Sequence, residues 1–266
     1  MTGPNQVDSL NDFVYQPDSI FDDMEVGLHP TGAFRPGFIT GYVITFANRG
    51  TTFLTPQLVL HKSPALSFVS STISPSVLSP DSLVFNLSQL PPLQSEVIQV
   101  LFRLDSTTSI GALLTADVQI TPVMNDAYPL NNADTLNSTV GGSFDPNDIT
   151  VDRVSISTNS ILNPPDLTYL IRFQNTGTDT AFNVYVVNEL PLELDLSTFE
   201  MLGASHPNQI NLDANTRRLV FNFPSILLPD SNINEPASHG FILYRIHPQA
   251  ILQLGDTIPN SAAIYF

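Results

Sequence analysis

A ten-residue pattern occurs twice in this chain, and it restricts the fold more than any other feature. Tyr42, Ile44, Phe46, Asn48, Gly50 and Thr51 recur as Tyr169, Ile171, Phe173, Asn175, Gly177 and Thr178. In each copy the apolar residues occupy every second position, which places them on one face of a strand. Aromatic and β-branched side chains suit such a half-buried surface. Asn-x-Gly-Thr then ends the run with residues that turn easily. Three shorter matches follow in the same order. Leu83-Val84-Phe85-Asn86 returns as Leu219-Val220-Phe221-Asn222, and Val100-Leu101-Phe102-Arg103-Leu104 as Ile242-Leu243-Tyr244-Arg245-Ile246. Ile110-Gly111 is matched by Leu254-Gly255. The spacings, 127, 136, 142 and 144 residues, only increase along the chain. That is expected if one fold was duplicated and the second copy gained loop residues.

Between these anchors, short apolar runs alternate with Pro, Ser, Asn and Gly clusters. Strands are expected near Met24–Leu28, Phe38–Asn48, Gln57–His61, Leu66–Ser70, Leu83–Leu87, Glu96–Leu104, Leu113–Ile120 and Thr135–Val140. The second half repeats the rhythm near Ile149–Ser157, Leu167–Asn175, Phe182–Asn188, Thr198–Leu202, Arg218–Phe223, Gly240–His247 and Thr257–Phe266. Ser205–Thr216 and Ser225–Ser238 read as its longest loops. No stretch carries an apolar stripe of helical period. The expected class is all-β, two tandem immunoglobulin-like Greek-key sandwiches. Gly141-Gly142-Ser143-Phe144-Asp145-Pro146-Asn147-Asp148 combines free backbone with turn formers and marks the boundary. This gives a lead-in over 1–22, one sandwich over 23–142 and a second over 143–266.

Charge narrows the partners. The 266 residues carry a net charge of −16 and one lysine, Lys62. Each half contributes −8, so the acidity is spread evenly rather than held in a tail. Such a surface repels phosphate backbones and anionic lipid, which argues against nucleic acid and against a membrane surface. No apolar run approaches the ~18 residues a membrane span needs, so no insertion is expected. Met1-Thr2-Gly3-Pro4 lacks the basic start and apolar core of a signal peptide. The chain stops inside an apolar run, Ala262-Ala263-Ile264-Tyr265-Phe266, and is read as a fragment of something longer. With no cysteine, disulfides, thiolate metal sites and cysteine nucleophiles are excluded.

The second half also carries longer motifs. Ser143-Phe144-Asp145-Pro146-Asn147-Asp148 is followed by Tyr169-Leu170-Ile171-Arg172-Phe173-Gln174-Asn175-Thr176-Gly177-Thr178-Asp179-Thr180-Ala181. Then come Leu227-Leu228-Pro229-Asp230-Ser231, Asn234-Glu235-Pro236-Ala237-Ser238-His239-Gly240 and Asn260-Ser261-Ala262-Ala263-Ile264-Tyr265-Phe266. In this order they resemble an immunoglobulin-like module near the C-terminus of bacterial proteins exported by the type IX secretion route. Residues 23–140 resemble, more loosely, the conserved-repeat immunoglobulin-like domains that often precede it. Two departures stand out. The family often has lysine after Asp-Pro-Asn-Asp, where this chain has Ile149. It also usually runs on past Ile-Tyr-Phe into an Asp-Phe-Asn-type segment and a sorting domain. The resemblance implies a spacer or adhesive module at the cell surface and does not imply an enzyme.

Candidate chemistry is sparse. His29, His61, His206, His239 and His247 show no metal-ligand spacing, and no Gly-x-Ser-x-Gly elbow exists. The carboxylate pairs Glu189 with Glu193, and Asp22 with Asp23 and Glu25, are no more than 25 scattered acids would give by chance. Calcium is the stronger reading, because hard cations want several carboxylate and amide oxygens together. Asp145, Asn147 and Asp148 crowd the joint, where an ion would stiffen the inter-domain angle. Asp126, Asn131, Asn132 and Asp134 crowd a loop ending the first domain. The plain alternative is that Asp and Asn form turns. Apart from calcium no cofactor is expected. An intramolecular isopeptide staple would need a buried lysine; the second domain has none and the first only Lys62.

These readings converge on a non-enzymatic spacer, two sandwiches in line within an extracellular protein. Its partners would be neighbouring domains or copies of itself, joined head to tail into a filament or stalk. The alternative is an adhesion module that binds a surface glycan or protein through sandwich-end loops, with Phe13, Tyr15, Phe34 and Tyr128 as contact residues.

Overall fold

A computed structural model describes residues 18–122, 125–142, 147–156, 160, 164–249, 252–253 and 255–266. Two β-sandwiches account for nearly all of it. In the first, β1 (Met24–Pro30), β2 (Ile39–Asn48), β7 (Ser95–Leu104) and β4 (Leu66–Ser71) form one antiparallel sheet in the order β1-β2-β7-β4. The facing sheet runs β5-β6-β3-β8-β9, from β5 (Val77–Leu78), β6 (Ser82–Asn86), β3 (Gln57–His61), β8 (Leu113–Thr121) and β9 (Ala133–Thr139). This is the immunoglobulin-type pairing, with a β5–β6 hairpin added beside β3.

The second sandwich repeats that order strand for strand. One sheet runs β10-β11-β16-β13, from β10 (Asp148–Val151), β11 (Leu167–Gln174), β16 (His239–Pro248) and β13 (Leu194–Ala204). The other runs β14-β15-β12-β17, from β14 (Gln209–Asp213), β15 (Arg218–Phe223), β12 (Val184–Glu189) and β17 (Ala262–Tyr265). Each strand of this list is the counterpart of the one nine places earlier; among the described residues only β9 has none.

The repeated motif does the same work in both. Its alternating apolar residues fill the two cores, where Tyr42 meets Phe102 at 5.8 Å and Tyr169 stacks on Tyr244 at 5.3 Å between ring centroids. Its asparagine is a buried clasp, 0% exposed at Asn48 and 5% at Asn175. Asn48 Nδ2 donates to Thr52 O (2.7 Å) and Leu90 O (3.0 Å), while Oδ1 accepts from Gly50 N (3.1 Å). Asn175 Nδ2 donates to Asp179 O (2.8 Å) and Leu228 O (2.9 Å), while Oδ1 accepts from Gly177 N (3.1 Å). Leu90 and Leu228 sit in matching isolated bridges, with Leu54 and Ala181. The residue expected only to turn the chain therefore also ties the strand end to a distant loop.

The sandwiches do not stand in line. The solvent-side faces of the β1-β2-β7-β4 and β10-β11-β16-β13 sheets lie against each other, giving four stacked sheets. Val43 from β2 is buried among Leu170, Leu202, Phe241 and Leu243 of the second sandwich, with Val97 packed beside them. Close approach is permitted by Gly203: a Cβ there would meet Val97 Cγ2 at 2.3 Å. The cause is in the sequence. Phe241-Ile242-Leu243-Tyr244 and Tyr169-Leu170-Ile171 are apolar at every position, so both faces of these strands need cover.

Other differences are local. Gln209–Asp213 forms edge strand β14 where a loop is expected. Ser231–Asn234 makes one helical turn, α1, capped by Asp230, whose side chain accepts from Asn232 N and Ile233 N. β10 stops at Val151, and β17 covers only Ala262–Tyr265 of the expected Thr257–Phe266.

Candidate functional site

Most ion pairs among the described residues lie where the sandwiches meet. Glu25 projects from β1 toward the second sandwich, and Glu200 and Arg245 project from β13 and β16 toward the first. Arg49 follows β2. Arg49 Nε reaches Glu25 Oε2 at 2.6 Å and its Nη1 reaches Glu200 Oε1 at 2.6 Å. Arg245 closes the ring, bonding Glu25 through Nη2 and approaching Glu200 at 3.9 Å. Alternating signs around four half-buried side chains clamp one edge of the apolar contact. Burial pushes the Glu25 carboxyl up, but the guanidiniums of Arg245 and Arg49 outweigh it and hold the group below its ordinary value.

Beside this ring opens a polar cleft of about 580 Å³ between the sandwiches. Its walls carry His29 and Asp134 from the first sandwich, and Asp152, Asp166, Thr168 and Arg172 from the second. Burial lowers the His29 pKa, partly offset by Asp134 and Asp152, so the ring stays neutral at neutral pH. His247 Nδ1 lies 2.8 Å from Asp166 Oδ1.

Of the residues read as calcium donors, Asn147, Asp148, Asp126 and Asp134 are turned to protein partners. Asp145 falls outside the described residues. Asn147 Oδ1 accepts from Gln174 N at 3.1 Å. Both Asp148 oxygens accept from Arg172, Oδ1 from Nε at 2.7 Å and Oδ2 from Nη2. Among the described residues, no group of three or more His, Asp or Glu side chains is placed to hold a metal. The loop acids act as clasps on β1. Asp126 accepts from Met24 N, Tyr128 N and Asn132 Nδ2, and Asp134 accepts from Leu28 N. Edge strand β1 thus finds acceptors for main-chain donors that face away from β2.

Of the aromatic contact residues, Phe13 and Tyr15 lie outside the described residues. Phe34 is a correction: it is 1% exposed and packs on Tyr42, because it plugs the end of the first core. Tyr128 is 65% exposed. Lys62 is 6% exposed; its amine donates to Leu66 O and Pro80 O and lies 5.6 Å from the Phe102 ring centroid. Burial lowers its pKa. Its length and position between two loops make it a structural tie.

Residues 145–266 match the family described as "Domain of unknown function (DUF7619)". No curated protein matches the chain. Several solved structures overlap it loosely. The CARDB domain of a Pyrococcus furiosus protein, solved in complex with di-metal ions, is 13% identical over 51% of this chain and 98% of its own, with a TM-score of 0.32. The C-terminal domain of the Streptococcus pyogenes antigen I/II-family protein AspA is 10% identical over 92% and 95%, with a TM-score of 0.31. The Enterococcus faecalis MSCRAMM ACE, which binds its ligands by the collagen hug model, is 12% identical over 93% and 94%, with a TM-score of 0.29.

Proposed function

We propose that the chain is a rigid, non-enzymatic block of an extracellular bacterial surface protein, a mount that holds neighbouring domains at a fixed angle. The observation that carries this reading is the sheet-on-sheet contact. An apolar patch centred on Val43, Leu243 and Phe241, clamped by the Glu25–Arg49–Glu200–Arg245 ring, removes the hinge that two linked domains would otherwise have. The surface location rests on the resemblance of residues 143–266 to exported modules. Calcium at Asp145, Asn147 and Asp148 would add stiffness at the joint. It has to compete with the Arg172 guanidinium for Asp148, so chelator is expected to leave the melting temperature nearly unchanged. Protease shaving of intact host cells tests the location: release of peptides from this chain supports it, and recovery only after lysis contradicts it.

The polar cleft supports a second reading, binding of a small polar ligand such as a surface glycan between the sandwiches. A glycan array probed with the wild type and with Asp152→Asn checks it. Hits lost in the variant favour it, and an array with no hits counts against it.

A further inference from the structure

We propose that the Asp23 carboxylate and the side-chain oxygens of Asn131 and Asn132, with the Asp126 charge beside them, form a calcium site where β1 begins. The length of β9 separates it from the joint, and it does not rest on the mount reading. Two distant stretches of chain build it. Asp22 and Asp23 lead into β1, while Asp126, Asn131 and Asn132 belong to the loop between β8 and β9. A parallel bridge joins Asp22 to Asp126, and Ala127 N donates to Asp22 O (2.8 Å). The 3-10 turn Pro129–Asn131 then lays the two asparagines against the acids. Sequence spacing groups Asp134 with this loop. In the fold Asp134 turns to Leu28 N and Thr135 N, and Asp23 arrives from across the chain instead.

Two observations point to a ligand there. The first is a pair of orphaned acceptors. Asn131 Oδ1 and Asn132 Oδ1 are both buried, and neither accepts a hydrogen bond. Asn132 as a whole is 2% exposed. Buried polar atoms are ordinarily matched, so two orphans on consecutive residues call for a partner. The acids fix how these amides lie. Asn131 Nδ2 donates to Asp23 Oδ1 (3.3 Å) and Asn132 Nδ2 to Asp126 Oδ2 (3.0 Å). Flipping either amide sets oxygen against oxygen. The two ends of an amide are about 2.3 Å apart, so each orphaned oxygen lies within about 5.6 Å of a carboxylate oxygen. Oxygens that share one calcium ion stand up to about 5 Å apart, and small side-chain turns close that difference.

The second observation is unmatched charge. Asp23 is 4% exposed, and the Asn131 amide is the one donor its carboxylate has among the described residues. Asp126 and Glu25 act on it as like charges. Arg49 acts in the opposite sense, but its guanidinium is already engaged by Glu25 and Glu200. Buried carboxylates are paired or coordinate metals. A single water molecule satisfies the two amide oxygens and leaves the charge as it was. A divalent cation answers both. Carboxylate and amide oxygens, without imidazole or thiolate, select a hard ion. Calcium accepts an irregular shell completed by water and main-chain carbonyls, where magnesium demands a regular octahedron. With two carboxylates and two neutral amides, the expected Kd is about 10⁻⁴–10⁻³ M, the range of extracellular modules. At that affinity chelator has nothing to strip from the chain in calcium-free buffer, and the ion acts when it is added.

The test titrates CaCl2 into the full chain at physiological salt and follows melting and hydrogen exchange. About 10 mM CaCl2 is expected to raise the melting temperature by about 3 °C or more and to slow exchange in residues 126–132. MgCl2 at the same concentration screens the net charge of −16 equally and should give less than half the rise. Asp23→Asn should abolish the calcium response. In chelator it should melt no lower than the wild type, because the variant buries no charge. Asn131→Ala alters a half-buried side chain and keeps the fold; it should raise the calcium needed for half the shift about tenfold. No rise with CaCl2 overturns the proposal, as does an equal rise with MgCl2. An undiminished response in Asp23→Asn places the ion elsewhere and overturns it too. So does Asp23→Asn melting far below the wild type in chelator, which makes the carboxylate a plain structural acceptor.

Discussion

The two sandwiches share one strand order and solve the end of the core differently. In the first, Leu60, Phe102 and Ala116 meet as an apolar cluster, and β9 holds β8 down along its length. In the second, the same three positions are Asn188, Tyr244 and Asn260. Tyr244 OH donates to Asn188 Oδ1 (2.6 Å), Asn188 Nδ2 donates to Asn260 Oδ1 (2.5 Å), and Asn260 Nδ2 donates to Tyr244 OH (3.0 Å). A side-chain ring thus anchors the segment before β17 where a main-chain ladder anchors β8. One fold tolerates both because each buried polar atom of the ring is matched. Burial drives the Tyr244 hydroxyl pKa far above its ordinary value, so the ring stays uncharged.

Substitutions can break or sharpen this comparison. The largest effect is expected from Leu243→Asp, which buries an unpaired carboxylate between the sandwiches at a cost of about 3–5 kcal/mol. Calorimetry should show the single wild-type transition split into two, one per sandwich. Next come Asn48→Ala and Asn175→Ala, each removing three hydrogen bonds of a buried amide, one of them to the Leu90 or Leu228 carbonyl that keeps its main-chain donor, and costing about 1–3 kcal/mol. In the Leu243→Asp background each is expected to lower only its own sandwich's transition. If both lower the same one, the halves are not equivalent copies. Tyr244→Phe should cost about 1–2 kcal/mol by denaturant unfolding, because Asn188 Oδ1 and Asn260 lose a partner.

The smallest effect is a pH dependence. Glu25 has a depressed pKa when folded, so its contribution is present above the ordinary value of 4.5 and fades as pH falls through the lower folded value. Melting temperatures measured down through this window should fall less steeply in Glu25→Gln than in the wild type.

Much of the fold was legible because period-2 patterns report strands directly. Gln57–His61 and Arg218–Phe223 match the observed strands residue for residue. Other elements left weak signals. β14 reads Gln-Ile-Asn-Leu-Asp on an exposed edge, with too little apolar contrast to stand out from a loop. α1 is shorter than the period that would reveal it, although Asp230 before Ser231 is a cap signal. β17 is shorter than its apolar pattern suggests because, among the described residues, only Ala262–Tyr265 pair with β12.

The candidate site was less visible. Sequence proximity groups Asp148 with Asp145 and Asn147, but its partner Arg172 is 24 residues away. The inter-sandwich contact could have been found. Strands with one face in solvent alternate, and Phe241-Ile242-Leu243-Tyr244 does not. Glu25 and Arg245 meet across 220 residues of chain, and spacing carries no sign of that.

Face-to-face packing is the claim on which the rest stands, and a cysteine pair tests it most directly. Val97 Cβ lies 3.4 Å from where a Cβ at position 203 would sit, close to the ~3.8 Å of a disulfide. Since the chain has no cysteine of its own, Val97→Cys with Gly203→Cys should give one intramolecular disulfide in the folded monomer under mild oxidation. Two thiols that both remain open to alkylation in the folded protein would contradict the account.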